Sequence, residues 1–158
     1  MMRYNSAMKQ KPVHILGVCG TFMAGIARIA QQRGLSVEGS DAGIYPPMSD
    51  QLRTMGVQLH EGFSPKPLQA GVSQVVVGNA MSRGNPSVEY TLNEGLPYIS
   101  APQWLAEEVL HERYVIAVSG THGKTSTTSL LTWILHYAEI KAGYLIGGVA
   151  KGFEYSSD

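Results

Sequence analysis

Short apolar runs alternate with amphipathic stretches along this chain, and the alternation predicts strands followed by helices. Val13-His14-Ile15-Leu16 reads as a first buried strand. Gly17 to Thr21 is a glycine-bearing turn, and Met23 to Arg33 a helix with Met23, Ile26, Ala27 and Ala30 on one face. Gly34 stands where a helix ends. Leu35 to Glu38 begins a second strand that finishes in Gly39-Ser40-Asp41. Tyr45-Pro46-Pro47 punctuates the chain. Ser49 then caps a short helix, Asp50 to Met55, which Gly56 closes. Val57 to His60 gives a third strand, Ser64 to Gly71 a loop rich in Pro and Gly, and Gln74 to Val77 a valine-rich fourth strand. Pro86 suits the first turn of a helix running to Glu94. Leu96 to Ile99 is a further strand and Pro102 to Leu110 a further helix.

The pattern starts afresh at Tyr114. Tyr114 to Val118 reads as a strand, and Lys124 to Ala138 as a helix with Leu130, Leu131, Ile134, Leu135 and Ala138 on one stripe. Tyr144-Leu145-Ile146 is the next strand of a sheet left unfinished at Asp158. The charged run His111-Glu112-Arg113 therefore marks the expected boundary. It separates a flexible tail (1–11) and a first domain (12–112) from the truncated start of a second (113–158). Strands alternating with helices predict an α/β fold on a parallel sheet. Trp104 and Trp133 lie on predicted helices, where core packing is the expected role.

Composition narrows the function classes. The chain has 158 residues, 44% of them hydrophobic, which is enough for one full core. Lys+Arg and Asp+Glu both number 12, so the formal net charge is zero. No basic stripe points to nucleic acid, and the balance excludes an acidic disordered chain. A single cysteine, Cys19, cannot close an intrachain disulfide and suits a reducing compartment. No apolar run approaches the roughly 20 residues of a membrane span, and the first residues lack the apolar stretch of a signal peptide. The expected location is the cytoplasm, with no membrane partner. The histidines and the cysteine show no metal-ligand spacing.

The strongest motif is Gly120-Thr121-His122-Gly123-Lys124-Thr125, placed after a predicted strand and opening a helix. Glycines let the backbone wrap a phosphate, main-chain N–H groups make an anion nest, and the helix start adds its positive dipole end. Lys124 can reach β- and γ-phosphate oxygens, and the Thr125 hydroxyl can bind Mg²⁺. His122 lies inside the loop, where phosphate contact is plausible chemistry. The spacing is shorter than in the general phosphate-loop pattern, because Val118 stands where that pattern has its first glycine. The alternative is a tight strand-to-helix turn with an exposed lysine.

A second turn, Gly17-Val18-Cys19-Gly20-Thr21, follows the first strand. Its glycines, continued by Gly25, do not match the dinucleotide fingerprint, but Asp41 ends the second strand, where an acidic residue binds a ribose hydroxyl in such folds. A nucleotide diphosphate can sit at the first helix N-terminus with its ribose near Ser40 and Asp41. The alternative is a structural turn beside a surface aspartate. Cys19 reads either as a thiol activated by the helix start or, preferably, as a small packed residue. The loop Asn79 to Pro86 follows the fourth strand and faces the same crevice. Arg83 in it can pair with a phosphate or carboxylate, while Asn85 and Pro86 supply a helix start.

Together these residues resemble the Mur ligase family, whose members join an amino acid or peptide to UDP-N-acetylmuramic acid or its derivatives. The resemblance spans nearly all of residues 13 to 150. The Thr-His-Gly-Lys-Thr loop is similar to that of members acting on UDP-N-acetylmuramate itself. Tyr45-Pro46-Pro47-Met48-Ser49, Gly78 to Pro86, Pro102 to Glu107 and the opening Gly-Val-Cys-Gly-Thr-Phe-Met resemble the peptidoglycan-recycling branch, which attaches the tripeptide L-Ala-γ-D-Glu-meso-diaminopimelate. The L-alanine-adding branch is the alternative, and so is a non-catalytic UDP-sugar-binding module. An unrelated phosphate-loop ATPase or kinase and, disfavoured by the glycine spacing, an NAD-dependent dehydrogenase are the other readings. Ser126 stands where the family usually has threonine, and Ala24 where it commonly has glycine.

The resemblance implies a Rossmann-like domain followed by the start of a phosphate-loop ATPase domain. It assigns ATP to Gly120, Thr121, His122, Gly123, Lys124, Thr125 and Ser126, with Lys124 catalytic and Thr125 on Mg²⁺. It assigns the UDP sugar to Gly17, Cys19, Gly20, Thr21, Phe22, Ser40, Asp41, Asn79, Ala80 and Arg83. The implied reaction phosphorylates the lactyl carboxylate of UDP-N-acetylmuramic acid and lets the murein tripeptide amine displace phosphate. Because the family's further domains lie beyond Asp158, no turnover is expected of this chain alone.

Overall fold

The computed structural model describes residues 11–148, 153 and 156–158, so the expected tail lies, apart from Lys11, outside the described residues. Five parallel strands form one sheet: β1 Val13–Leu16, β2 Val37–Asp41, β3 Gln58–Glu61, β4 Gln74–Val77 and β5 Tyr98–Ser100, in the order β3-β2-β1-β4-β5. β1 is central and wholly buried, as its unbroken apolar character requires of a strand covered on both faces. Val13 pairs with Val37 on one side and with Gln74 on the other.

The intervening helices are α1 Thr21–Gln32, α2 Met48–Thr54, α3 Lys66–Gln69, α4 Pro86–Asn93 and α5 Ala101–Leu105, which a π-helical turn, Ala106–Leu110, continues. One face of the sheet presents Val13, Ile15, Val76 and Ile99 to Met23, Ile26, Ala27 and Ala30 of α1, Leu52 of α2 and Trp104 of α5. The other presents Leu16 and Val75 to Leu68 and Val72, with Val88 and Tyr90 of α4 at the margin. The alternation along each strand thus sorts side chains into two cores.

On that second face three strands contribute polar groups. His14 is fully buried, with Nδ1 2.7 Å from Glu38 Oε1 and Nε2 2.9 Å from Ser40 Oγ. His60 stacks on His14 at 5.9 Å and places Nε2 3.5 Å from Glu38 Oε2. Burial pushes the Glu38 carboxyl up, but hydrogen bonding and charge from His14 and His60 outweigh it and hold the group below its ordinary value.

Several expectations need correction. The segment Ser64 to Gly71, read as a loop, contains the short helix α3. Tyr114 to Val118 forms no strand, and Tyr114 is 94% exposed. A strand needs a neighbour to take its backbone N–H and C=O groups, and none of the five described strands lies beside it. Tyr144–Ile146 makes an isolated antiparallel bridge, Leu145 to Ser157, and no parallel strand. α6, Lys124–Tyr137, forms as expected, but its apolar stripe is only partly covered, with Leu131 and Leu135 half-buried and Leu130 59% and Ile134 48% exposed. Trp104 is in the core at 1% exposure, whereas Trp133 is 57% exposed and stacks on Tyr137 at 5.4 Å.

Candidate nucleotide-binding site

The strand order reverses between β1 and β4. Chain segments leaving these two strands diverge, and in open parallel sheets that divergence makes a crevice. A cleft of about 200 Å³ opens there, lined by Gly17, Gly20, Phe22, Met23, Gly78, Asn79, Ala80 and Met81. Gly17 leaves β1 at φ +81°, a left-handed conformation that a side chain disfavours. Its N–H donates to Ser40 O at 2.8 Å, and the Gly78 N–H donates to Leu16 O at 3.0 Å. Two tight exits are thereby fixed side by side, and α1 starts between them.

α1 begins at Gly20 with no side-chain cap and no acidic residue in its first turn. Its leading N–H groups and positive dipole end therefore lie at the cleft without an internal carboxylate to neutralise them. α4 differs: Asn85 Oδ1 accepts from the N–H groups of Ser87 at 3.0 Å and Val88 at 3.3 Å, the helix-start role read from its sequence.

Asp41 secures the turn. Its Oδ2 accepts from Cys19 N and its Oδ1 from Gly43 N, both at 2.9 Å. The carboxylate thus orders the glycine turn through the main chain. Burial, then the Asp41 charge, pushes the Cys19 thiol up to about 11 against an opposing effect of Arg53. The thiol is protonated near neutrality, which favours the packing reading over the activated one.

Gly17, Gly20, Phe22, Asn79 and Ala80 of the expected UDP-sugar set line the cleft, and Thr21 and Cys19 belong to the same turn. Ser40 is placed differently. It is fully buried and its hydroxyl meets His14, so its contribution is the carbonyl beneath the turn. Arg83 stands away from the lining, its guanidinium paired with Glu89 at 2.8 and 3.0 Å, while Gly84 N donates to the same carboxylate at 2.7 Å. The carboxylate partner read for Arg83 is thus Glu89 of α4, the helix that follows its loop. Met23, Gly78 and Met81 complete the cleft and were not singled out as site residues. The signal for Gly78 was its position directly after the fourth strand; the methionines carried none.

The second loop, Gly120 to Thr125, is exposed throughout. Gly123 precedes α6 in a left-handed conformation, φ +76°, again without a side-chain cap. Lys124 Nζ bends back over the loop to Gly120 O at 2.6 Å and Thr121 O at 3.4 Å. An uncapped helix start, two glycines and an accessible ammonium form a donor set that suits a phosphate chain. Thr125 and Ser126 are exposed on the first turn of α6, where a hydroxyl can face a hydrated divalent cation. Among the described residues, no group of three His, Cys, Asp or Glu side chains could hold a metal ion, and no helix is long and apolar enough to cross a membrane.

Residues 12–113 match the family described as Mur ligase family, catalytic domain. The chain belongs to the Mur ligase family. It is 52% identical over 147 residues to the UDP-N-acetylmuramate–L-alanyl-γ-D-glutamyl-meso-2,6-diaminoheptandioate ligase of Haemophilus influenzae, covering 93% of this chain and 32% of that protein. To a UDP-N-acetylmuramate–L-alanine ligase of a Psychrobacter species it is 38% identical over 138 residues, 87% of this chain and 28% of the relative. The crystal structure of the UDP-N-acetylmuramate:L-alanyl-γ-D-glutamyl-meso-diaminopimelate ligase from Neisseria meningitides superposes with a TM-score of 0.90 at 50% identity, over 94% of this chain and 46% of that one. The Mur ligase chain described here thus spans about a third of the length of the curated relatives it matches.

Proposed function

We propose that this chain is the UDP-sugar-binding part of an ATP-dependent ligase that joins the tripeptide L-Ala-γ-D-Glu-meso-diaminopimelate to UDP-N-acetylmuramic acid in peptidoglycan recycling. The carrying observation is the cleft between β1 and β4, floored by an Asp41-held glycine turn and headed by an uncapped helix start. Its chemistry suits a diphosphate, and the tripeptide ligase relatives supply the sugar acid and the amine. The L-alanine-adding branch is the second reading, and its lower identity, 38% against 52%, ranks it behind the first.

In this reading the α1 N-terminus and the turn N–H groups hold the UDP diphosphate, with Asp41 at the ribose. Lys124 offsets charge on the phosphoryl group that passes from ATP to the lactyl carboxylate, and the Thr125 hydroxyl would help to hold Mg²⁺. Mg²⁺ supplies neutralisation of phosphate charge when bound. The acyl phosphate so formed is attacked by the tripeptide amine; the new C–N bond displaces inorganic phosphate, and the amine proton passes to solvent. In this reading the chain, which spans about a third of its relatives' length, binds and does not turn over.

Calorimetry with UDP-N-acetylmuramate and, separately, with ATP and Mg²⁺ tests the assignment. Binding of the UDP sugar should weaken by about 10- to 100-fold in Asp41→Ala, the loss of one or two charge-assisted bonds. Lys124→Ala should weaken ATP alone. UDP-sugar affinity unchanged by Asp41→Ala, or amide product from the chain with tripeptide and ATP, would contradict the proposal.

A further inference from the structure

Gly25 continues the glycines of the turn that follows β1. It lies in the middle of α1 and is buried, although glycine inside a helix costs about 0.5–1 kcal/mol relative to alanine. In a dinucleotide fingerprint the third glycine lets helix and strand pack closely. Here a Cβ at Gly25 would collide with Leu145 Cδ1 and lie 3.3 Å from Ser156 Oγ and 3.5 Å from Ser157 Cβ. The close approach is therefore to the chain that follows α6, and not to the sheet.

That chain is built to sit there. Segments 144–146 and 156–158 pair antiparallel, with Ile146 N donating to Ser156 O at 2.7 Å, Tyr144 N to Asp158 O at 2.8 Å and Asp158 N to Tyr144 O at 3.0 Å. Polar groups of α1 hold the pair. Ser157 Oγ donates to Gly25 O at 3.2 Å and Ser156 Oγ to Thr21 O at 3.4 Å. Arg28 donates to Ser157 O at 3.0 Å and Asp158 Oδ1 at 3.2 Å, and Gln32 to the same Asp158 oxygen at 2.8 Å. Ile146 is buried at 2% exposure. Two residues further on, the position of a Gly148 Cβ lies 3.6 Å from the Thr125 methyl. One end of the segment thus touches α1, which begins at the glycine turn, and the other touches the phosphate loop.

We propose that the paired segments are a brace that sets the phosphate loop in distance and orientation against the UDP-sugar cleft, with Gly25 and Arg28 as positioning residues. This rests on the two-nucleotide reading above. Phosphoryl transfer demands that donor and acceptor be held in line, and small displacements cost rate steeply. Gly25 admits Leu145 where any side chain would push the brace off α1.

Pulsed electron–electron spin resonance tests it on this chain. Spin labels go on Glu94→Cys, at the end of α4, and His136→Cys, near the end of α6, in a Cys19→Ser background. The unmodified brace should give one narrow distance distribution. Gly25→Leu should broaden it, and Arg28→Gln should do so in part. Hydrogen exchange should rise about tenfold or more in peptides carrying Tyr144, Ile146 and Asp158, while β1 and β4 stay protected. Gly25→Ala should broaden the distance distribution less than Gly25→Leu, and adding Leu145→Ala, which removes the collision, should restore the narrow distribution. A narrow, unshifted distribution in Gly25→Leu, or a broad one before any brace substitution, would overturn the proposal. If Gly25→Leu does not fold, Arg28→Gln decides by the same readings. Failure of the wild-type chain to bind UDP-N-acetylmuramate would strike the functional reading and leave the distance result standing.

Discussion

Asp41 ties the second strand to the turn after the first through two main-chain N–H groups, and its charge also reaches the Cys19 sulfur. Asp41→Asn should therefore lower the Cys19 pKa from about 11. More thiolate is then present at any alkaline pH below that value, and alkylation by iodoacetamide should quicken several-fold at about pH 8.5. An unchanged rate would mean that burial alone sets the thiol. Asp41 was legible in the sequence because it ends a strand in a known relation to a glycine turn. The burial of Ser40 was not, because its neighbour His14 is 26 positions away and meets it only through strand pairing. The partner of Arg83 was hidden in a similar way: a carboxylate was one of the two partners read for it, but an arginine in a polar loop carries no mark that the carboxylate is Glu89 of α4.

At the scale of elements, the first four strands and the helices α1, α4 and α6 follow from apolar runs, caps and glycine stops. Periodicity captures the strands, α1 and α4 because each buries apolar positions against a described neighbour, and it captures α6 by helical spacing alone, since that stripe is largely exposed. Tyr114 to Val118 shows where that reasoning stops. Its residues have strand character, but a strand exists by pairing, and that information does not reside in the segment. The same holds for Trp133 and the stripe of α6. The interstrand cluster of His14, Glu38 and His60 was likewise hidden, since each residue looks like an isolated polar position. Its pH dependence has a definite sign. The folded Glu38 carboxyl lies below the ordinary 4.5, so its stabilisation is fully present above that value and is lost as pH falls through the folded value. Glu38→Gln should destabilise the chain near neutrality by about 1–3 kcal/mol, as expected for one partner removed from a buried charged bond. The difference from wild type should shrink as the medium is acidified below the ordinary carboxylate range. Urea melts along a pH series measure this, and a difference that grows towards acid would refute it.

Across the whole molecule, one parallel sheet places a cleft where its strand order reverses, and the chain then runs on through the exposed Gly120 to Thr125 loop and α6 to segments that pack on the first helix. Family membership and that arrangement together support a UDP-sugar site in residues 12–113. The most direct test is an amide NMR titration of the ¹⁵N-labelled chain with UDP-N-acetylmuramate. The amides of Gly17 to Thr21 and Gly78 to Ala80 should shift together and saturate with one dissociation constant, with ATP leaving them in place. Shifts centred on the Gly120 to Ser126 loop, or on β3, or no saturable shifts at all, would contradict the account.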